Sequence, residues 1–348
     1  MRSKRVTIKE IASKAGVSPA TVSRVLNDKR NVNPEIAERV RKVAKALDYQ
    51  ANEIAQGLAR GKVNSLAVVV PDIDNTFFSR ICKAIQNSVM ENGTAVLVYN
   101  TDGIIDREYG IIKDLAAKLI GGIFLVAPRM PAVEIRGLSE DLGVYPVVVD
   151  ARVENCRLAA VWVDNITAFI EATEHLIALG HRRIGFVAGP SDVATSNDRR
   201  EGYQIALRTH HIKQQASLIC ESDFTIQGGY RAAEIMMGKR QKPTALLCSN
   251  DLMAIGALKY LREQRMDVPG EVAITGCDDI DVASSLHPAL TTVQQPVHEL
   301  GAVAAGLMSQ YRSTKVIPPN SILHAHLVVR DSTRAIEPGG EATETNEG

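Results

Sequence analysis

Apolar positions near the start of the chain fall in three short helical patterns. Ile8, Ile11, Ala12 and Ala15 share one side of a first helix, Val22, Val25 and Leu26 line a second, and Ile36, Val40, Val43 and Leu47 line a third. The boundaries are marked as clearly as the faces. Thr7 with Glu10 three residues later forms a capping box, Gly16 stops the first helix, and Ser18 followed by Pro19 starts the second. Asn33 followed by Pro34 starts the third. From Ser65 the pattern changes to short β-rich runs alternating with helical stretches, which predicts parallel α/β layers.

The runs Ser65 to Val70, Ala95 to Tyr99, Gly122 to Val126 and Pro146 to Val149 read as buried strands of one parallel sheet, with helices over Phe77 to Glu91 and Asp106 to Leu119. A second series begins after Val161-Trp162-Val163-Asp164. It comprises a helix over Ile166 to Leu179, a strand at Ile184 to Ala188, a helix near Arg199 to His210, a strand at Ala245 to Cys248, a helix over Leu252 to Gln264 and a strand at Val272 to Thr275. Two such units in tandem predict a cleft between them. Ligands of open parallel sheets bind beyond the carboxyl ends of the strands, so the loops Asp72 to Phe78, Ala188 to Arg199 and Gly276 to Asp279 are expected to line it. The chain from Gln294 to Met308 is expected to cross back into the first unit, and residues 336–348, rich in Gly, Thr and Glu, are expected to be disordered.

Charge changes the picture of the head. Lys and Arg number 14 between Met1 and Lys62 against 6 Asp and Glu, a balance of +8, while the remaining residues hold 26 basic and 34 acidic, a balance of −8. A basic head gains affinity for a phosphate lattice by counterion release, and an acidic body stays off it. The outward face of the second helix carries Ala20, Thr21, Ser23, Arg24 and Asn27, which are short hydrogen-bonding groups plus one guanidinium suited to phosphates and a base edge. The pattern is that of a helix-turn-helix DNA reader; an ordinary surface helix pair is the plain alternative, and the charge argues against it.

Other chemistry is sparse. No run of eighteen apolar residues occurs, and Met1-Arg2-Ser3-Lys4-Arg5 is not followed by the apolar core of a signal peptide, so a cytoplasmic location is expected. Five scattered cysteines form no Cys-x-x-Cys pair, which suggests neither zinc nor a disulfide framework. Neither a Gly-x-Gly-x-x-Gly fingerprint nor a Walker-type phosphate loop is present, and His181, His287 and His298 have no visible nucleophile or metal-ligand spacing. An enzyme, a cofactor and a metal are therefore not expected. A transport-type binding protein would share the body, and the head argues against it. Residues 51–62 join head and body; they read either as a helix that folds only when docked, with Leu58 wedged into a minor-groove base step, or as a flexible tether.

These motifs together resemble the lactose-repressor (LacI/GalR) family of bacterial transcription regulators. The resemblance runs over nearly the whole chain. It is carried by Thr7 to Ala12, Val17 to Asn27, Ala55-Gln56-Gly57-Leu58-Ala59, Gly180 to Gly185, Ser249 to Leu258 and Pro288 to Val293. The blocks Val70 to Ile73, Asp223 to Thr225 and Arg330 to Arg334 are similar to the branch that includes the cytidine repressor.

The resemblance implies an α plus α/β chain. A three-helix head spans 1–50, a hinge helix 51–62, and a two-lobed body like the periplasmic binding proteins 63–335. One lobe takes 63–162 and 295–323, and the other takes 163–294 and 324–335. It also implies a repressor that binds a near-palindromic operator as a homodimer under control of a small effector. Pro19, Ala20 and Arg24 would read bases, Thr7, Thr21, Ser23 and Asn27 would hold phosphates with Ser18 at the same face, and Leu58 would be the minor-groove lever beside Asn52 and Ala55. With Pro19 and Ala20 unable to read hydrogen bonds, Arg24 carries most of that readout.

For the effector the implied positions are Asp72, Phe77, Phe78, Asp150, Arg199, Phe224, Asn250, Asp251 and Asp278. Aromatic faces pack on a sugar ring while carboxylates and a guanidinium take its hydroxyls. Singly, each aromatic also reads as core and Arg199 with Asp278 as a structural ion pair. Val193 stands where some purine-responsive relatives place an arginine, which removes a partner for a purine oxo group. The class expected is a sugar, sugar phosphate or nucleoside.

Overall fold

The computed structural model describes residues 6–26, 32–47, 49, 65–90, 94–118, 120–153 and 156–333. The expected sites Asn27, Asn52, Ala55 and Leu58, the joining segment 51–62 and the tail 336–348 lie outside them.

The head holds three helices, α1 (Ile8–Ala15), α2 (Pro19–Leu26) and α3 (Pro34–Ala46). The capping box forms as read: the Thr7 hydroxyl accepts from the Glu10 amide at 3.3 Å and the Thr7 amide donates to the Glu10 carboxylate at 2.8 Å. Gly16 takes the left-handed conformation, φ 64°, that ends α1, where a Cβ would be strained. The Ser18 hydroxyl accepts from the Thr21 amide at 3.1 Å, and Asn33 accepts from the Glu35 amide at 2.8 Å. With the helix ends fixed, Ile11, Ala12, Ala15, Val22, Val25, Val40 and Ala44 close a small core flanked by Ile36, Val43 and Leu47.

The body holds two six-stranded sheets. The first contains β1 (Ser65–Val70), β2 (Ala95–Asn100), β3 (Ile123–Val126), β4 (Pro146–Val149), β5 (Ala159–Val163) and β11 (Ser321–Leu323) in the order β11-β5-β4-β3-β1-β2. The second contains β6 (Ile184–Ala188), β7 (Ile219–Glu221), β8 (Ala245–Cys248), β9 (Ala273–Asp278), β10 (Thr291–Gln294) and β12 (His326–Val328) in the order β12-β10-β9-β8-β6-β7. The described pairings of the first sheet are parallel; in the second only β10 with β12 is antiparallel. Strands β1, β3, β4 and β8 are buried along their whole length, as continuous apolar runs between helical layers must be.

Around the first sheet lie α4 (Thr76–Val89), α5 (Ile105–Ala117) and α6 (Ala132–Leu142), and around the second α7 (Asn165–Ala178), α8 (Ala194–Thr209), α9 (Ile226–Met237) and α10 (Asp251–Glu263). Helix α11 (Val297–Thr314) follows β10 of the second sheet yet packs into the core of the first, through Val297, Leu300, Ala304 and Met308. The chain thus passes between the sheets three times, at Val163 to Asn165, Gln294 to Val297 and Leu323 to His326. The Asp164 amide donates to the Leu323 carbonyl at 2.9 Å and ties two crossings together.

Three expectations change. Strand β2 is not buried: Leu97 and Val98 are 40% and 47% exposed, because β2 is the last strand of its sheet and has a neighbour on one side only. Helix α8 begins at Ala194, five residues ahead of Arg199, because in the short polar run Thr195-Ser196-Asn197-Asp198, which propensity reads as loop, Thr195, Ser196 and Asp198 are buried. Helix α9 was not expected, since Gly228 and Gly229 in its first turn argue against a helix. Those glycines serve contact. A Cβ at Gly229 would run into the backbone of Met253 in α10, and one at Gly256 into the Ile226 carbonyl of α9, so the two helices meet backbone to backbone. Helix α6 and strand β7 are likewise additions.

The Gly256→Ala substitution is expected to cost about 1–3 kcal/mol, or more, because backbone and not a flexible side chain would have to move. Denaturant unfolding of the full-length protein measures it, and an unchanged midpoint would show that α9 and α10 do not need this close approach.

Candidate DNA-reading face and ligand cleft

On the head, the buried side of α2 turns Val22 and Val25 inward and leaves Ser18, Pro19, Ala20 and Arg24 exposed, with Thr21 and Ser23 half-buried. Thr7 is exposed at the start of α1. The Ser18 and Thr21 hydroxyls lie 2.9 Å apart, so the cap of α2 and its polar face share groups. Arg24 in the last turn of α2 is the only cation on that helix. Of the expected residues, Ser18, Pro19, Ala20, Thr21, Ser23 and Arg24 thus lie on this one short helix or at its start.

In the body, a cavity of about 680 Å³ lies between the two sheets, at the carboxyl ends of their strands. Of the expected residues Asp72, Phe77, Phe78, Asp150, Arg199, Phe224, Asn250 and Asp278 line it. The loop after β1 supplies Asp72, and the first turn of α4 supplies Phe77 and Phe78, whose rings meet edge to face at 5.2 Å. Asn250 ends the loop after β8; its side chain accepts from the Met253 amide at 2.9 Å to cap α10 and donates to the Phe224 carbonyl at 3.0 Å. Phe224 has φ 62°, and its ring lies so close over Gly189 that a Cβ there would overlap it.

The floor of the cavity is a buried cluster of charge. Arg199, 4% exposed, donates from Nε to Asn165 Oδ1 at 2.8 Å and from Nη1 to the Ser249 carbonyl at 2.5 Å, and its Nη2 stands 4.0 Å from Asp278 Oδ1. The guanidinium also lies 5.7 Å from the Phe169 ring centre. Asp278 closes β9, and its Oδ1 accepts from buried Gln295 at 2.8 Å. Asp150 follows β4 of the other sheet with φ 57°; it is buried and its Oδ1 has no hydrogen-bond partner among the described residues. Burial raises the Asp150 carboxyl to about 7 against the pull of Arg199, with the Asp198 charge adding to the rise. Burial raises Asp278 as well, opposed mainly by Arg199.

Backbone strain marks the same place. Nine described non-glycine residues have positive φ, and five of them, Asp102, Ala127, Asp150, Phe224 and Asp278, line this cavity. Asp251 is the correction. It does not line the cavity but lies beneath it, fully buried, accepting from the Thr292 hydroxyl at 2.6 Å and the Ile280 amide at 2.9 Å. Its carboxyl, raised by burial and by the nearby Asp278 charge, braces the β9 end against β10.

The expected set omitted Asp102 after β2 and Arg129 after β3, although the strand-end rule reaches both. It also omitted Asp74 and Thr195, which lie in the loops Asp72 to Phe78 and Ala188 to Arg199 expected to line the cleft, and Gln227, for which sequence offers no comparable signal. Arg129 contacts Asp192 at 2.9 Å, Arg152 contacts Asp198 at 3.4 Å, and Arg80 donates to the Asp279 carbonyl at 2.8 Å. Each of these pairs joins elements of the first sheet's half to elements of the second's. Among the described residues no three His, Cys, Asp or Glu side chains are grouped as metal ligands, and no helix is long and apolar enough to cross a membrane.

Comparison with known proteins assigns both parts. The bacterial regulatory proteins of the lacI family match residues 7–52, and a periplasmic binding protein-like domain matches residues 173–333. Over 95% of this chain and 97% of the other, the sequence is 33% identical to the HTH-type transcriptional repressor CytR of Escherichia coli (strain K12). The chain belongs to the lacI family of bacterial regulatory proteins. This lacI-family regulator shares its fold with the lac repressor dimer bound to operator and the anti-inducer ONPF, with a TM-score of 0.85 and 26% identity over 95% of this chain and 100% of that one. A complex of the transcriptional regulator CelR with cellobiose matches at a TM-score of 0.71 and 28% identity, over 94% and 100% of the two chains. Other relatives are named as an HTH-type transcriptional regulator and a ribose operon repressor.

A pH dependence follows from the cavity floor. An aspartate ionises near 4 in the unfolded chain but Asp150 holds its proton to about 7 when folded, so the folded state binds more protons in between and the unliganded protein loses stability as pH rises through that window. Melting temperatures of the full-length protein from pH 5 to pH 8 are expected to fall, and to fall less steeply in Asp150→Asn. Identical slopes in the two proteins would contradict the assignment.

Proposed function

We propose that this regulator represses transcription by binding a near-palindromic operator as a homodimer, and that a sugar, sugar phosphate or nucleoside in the cavity between the two sheets controls that binding. The observation that carries the reading is the cavity floor. A buried guanidinium flanked by two carboxylates, one from each half of the body, with phenylalanines from both halves beside them, offers paired hydrogen bonds and apolar faces to a polyhydroxylated ring. Ligand contacts drawn from both halves favour the arrangement in which the halves are close, and that bias is what an effector needs in order to shift a population. The operator-bound lac repressor dimer and the cellobiose complex of CelR support dimer, operator and ligand class by likeness. We assign the protein to the bacterial cytoplasm, where its operator would be.

On the head, Pro19, Ala20 and Arg24 are assigned to base edges and Thr7, Ser18, Thr21 and Ser23 to the phosphates, with Asn27, Asn52, Ala55 and Leu58 completing the set. Asp72, Phe77, Phe78, Asp150, Arg199, Phe224, Asn250 and Asp278 are assigned to the effector.

A gel shift with the upstream region of the protein's own gene, titrated with a metabolite panel, tests the reading as a whole. Saturable, sequence-selective binding altered by a polyhydroxylated metabolite is the expected result, and equal affinity for operator and bulk DNA at physiological salt would refute it. Arg24→Ala is expected to lose about 1–3 kcal/mol on the operator and to relax specificity at one base pair per half-site. Uniform weakening on every sequence would instead make Arg24 a phosphate contact.

A further inference from the structure

The charge of the cavity wall is lopsided. Six carboxylates line it, Asp72, Asp74, Asp102, Asp150, Asp223 and Asp278, against two guanidiniums, Arg129 and Arg199. Both guanidiniums are already engaged, Arg129 with Asp192 at 2.9 Å and Arg199 with Asn165, the Ser249 carbonyl and Asp278. Arg107 and Arg231, which pair with Asp102 and Asp223, are exposed and do not line the cavity.

Some backbone donors are taken too. Oxyanions are commonly held by the free amides of a helix N-terminus. At the cavity, α4 is capped by Asn75, which accepts from the Phe77 amide at 3.0 Å, α9 by Thr225, which accepts from the Gly228 amide at 2.9 Å, and α10 by Asn250. Helix α8, whose cap position Val193 lines the cavity, begins without a side-chain cap, and the carboxylate Asp192 stands in the chain directly ahead of it.

Asp223 keeps its charge: although burial pushes its carboxyl up, the hydroxyl and amide of Thr225 and the Arg231 guanidinium hold it below the usual range. At the bottom, the Oδ1 of Asp150, on a residue only 2% exposed, has no partner among the described residues and is left to hydrogen-bond with whatever fills the cavity. A wall rich in acceptors and poor in free cations suits hydroxyl and amine donors and repels an anion.

We propose that the cavity selects an uncharged, donor-rich ligand, an unphosphorylated sugar or nucleoside, and that Asp72, Asp74, Asp102 and Asp223 form a collar that rejects its phosphorylated counterpart. The inference rests on the cavity being the effector site, and it narrows the class that site accepts.

Titration calorimetry on the full-length protein with matched pairs tests it, using ribose and ribose 5-phosphate, glucose and glucose 6-phosphate, and adenosine, cytidine and their 5′-monophosphates at fixed ionic strength. At least one uncharged member is expected to bind, with its phosphorylated partner weaker by tenfold or more. In Asp74→Asn and in Asp102→Asn that ratio is expected to shrink while the uncharged member still binds. A phosphorylated member binding as tightly as its parent overturns the inference and leaves the effector reading standing. A ratio unmoved by either substitution removes the collar as its cause. Binding by no member of any pair refutes the polyhydroxylated-effector reading itself, and this inference with it.

Discussion

A guanidinium taken out of water must be met by fixed oxygens, and the body of this regulator is arranged around meeting that demand for Arg199. Burying an uncompensated charge costs several kcal/mol. Here the compensation comes from Asn165 at a crossing between the sheets, the Ser249 carbonyl at the end of β8, and Asp278 at the end of β9. These partners sit at strand and helix ends because that is where a parallel sheet leaves side chains and carbonyls free of the ladder. Asp150 and Asp278, at two such strand ends, both have positive φ, a backbone conformation that carries a cost. Asp251 and Gln295 hold the Asp278 end of β9 in register from below and beside it.

The head solves a smaller problem by other means. Three short helices cannot bury much surface, and isolated helices of this length are marginal in water. Caps therefore carry a large share of the specification: Thr7 with Glu10, Ser18, Asn33 and the left-handed Gly16 fix where each helix begins or ends. Once those ends are fixed, the spacing of Val22 and Val25 leaves Pro19, Ala20 and Arg24 facing outward together. A face suited to DNA thus follows from local signals, with the core doing little more than choosing which side of α2 is inside.

This difference explains how legible each part is in the sequence. Caps and apolar spacing are local, so the three head helices can be read within a residue or two. In the body, strands with uninterrupted apolar runs such as Val68-Val69-Val70 and Ala245-Leu246-Leu247-Cys248 are equally plain, but whether such a run lies in the centre or at an edge depends on partners tens of residues away, and β2 shows the consequence. Helix α9 is hidden for a related reason: Gly229 and Gly256 are unfavourable locally and required only by the helix that meets them. In the cavity, Asp150, Arg199 and Asp278 are legible through family resemblance. Asp251, adjacent to Asn250, is not separable from it by sequence, since the turn that sends one side chain up and the other down is set by the start of α10.

The strength of the link between cavity and halves bounds what an effector can achieve. Arg129 with Asp192 and Arg152 with Asp198 are partly exposed ion pairs, a kind that contributes little once solvent and salt are counted. The three chain crossings connect the halves. Two halves joined by weak pairs can exchange between arrangements that differ by only a few kcal/mol, and a ligand shifts such an equilibrium by no more than its difference in affinity for the two. That difference must come from groups on opposite sides of the cavity. Asp150 from the first sheet and Arg199 and Asp278 from the second are such a set, and because these groups are buried their interactions with a ligand escape the screening that weakens the pairs at the rim. The same linkage runs in reverse: a change of arrangement imposed from outside the body must alter affinity at this floor by the same factor.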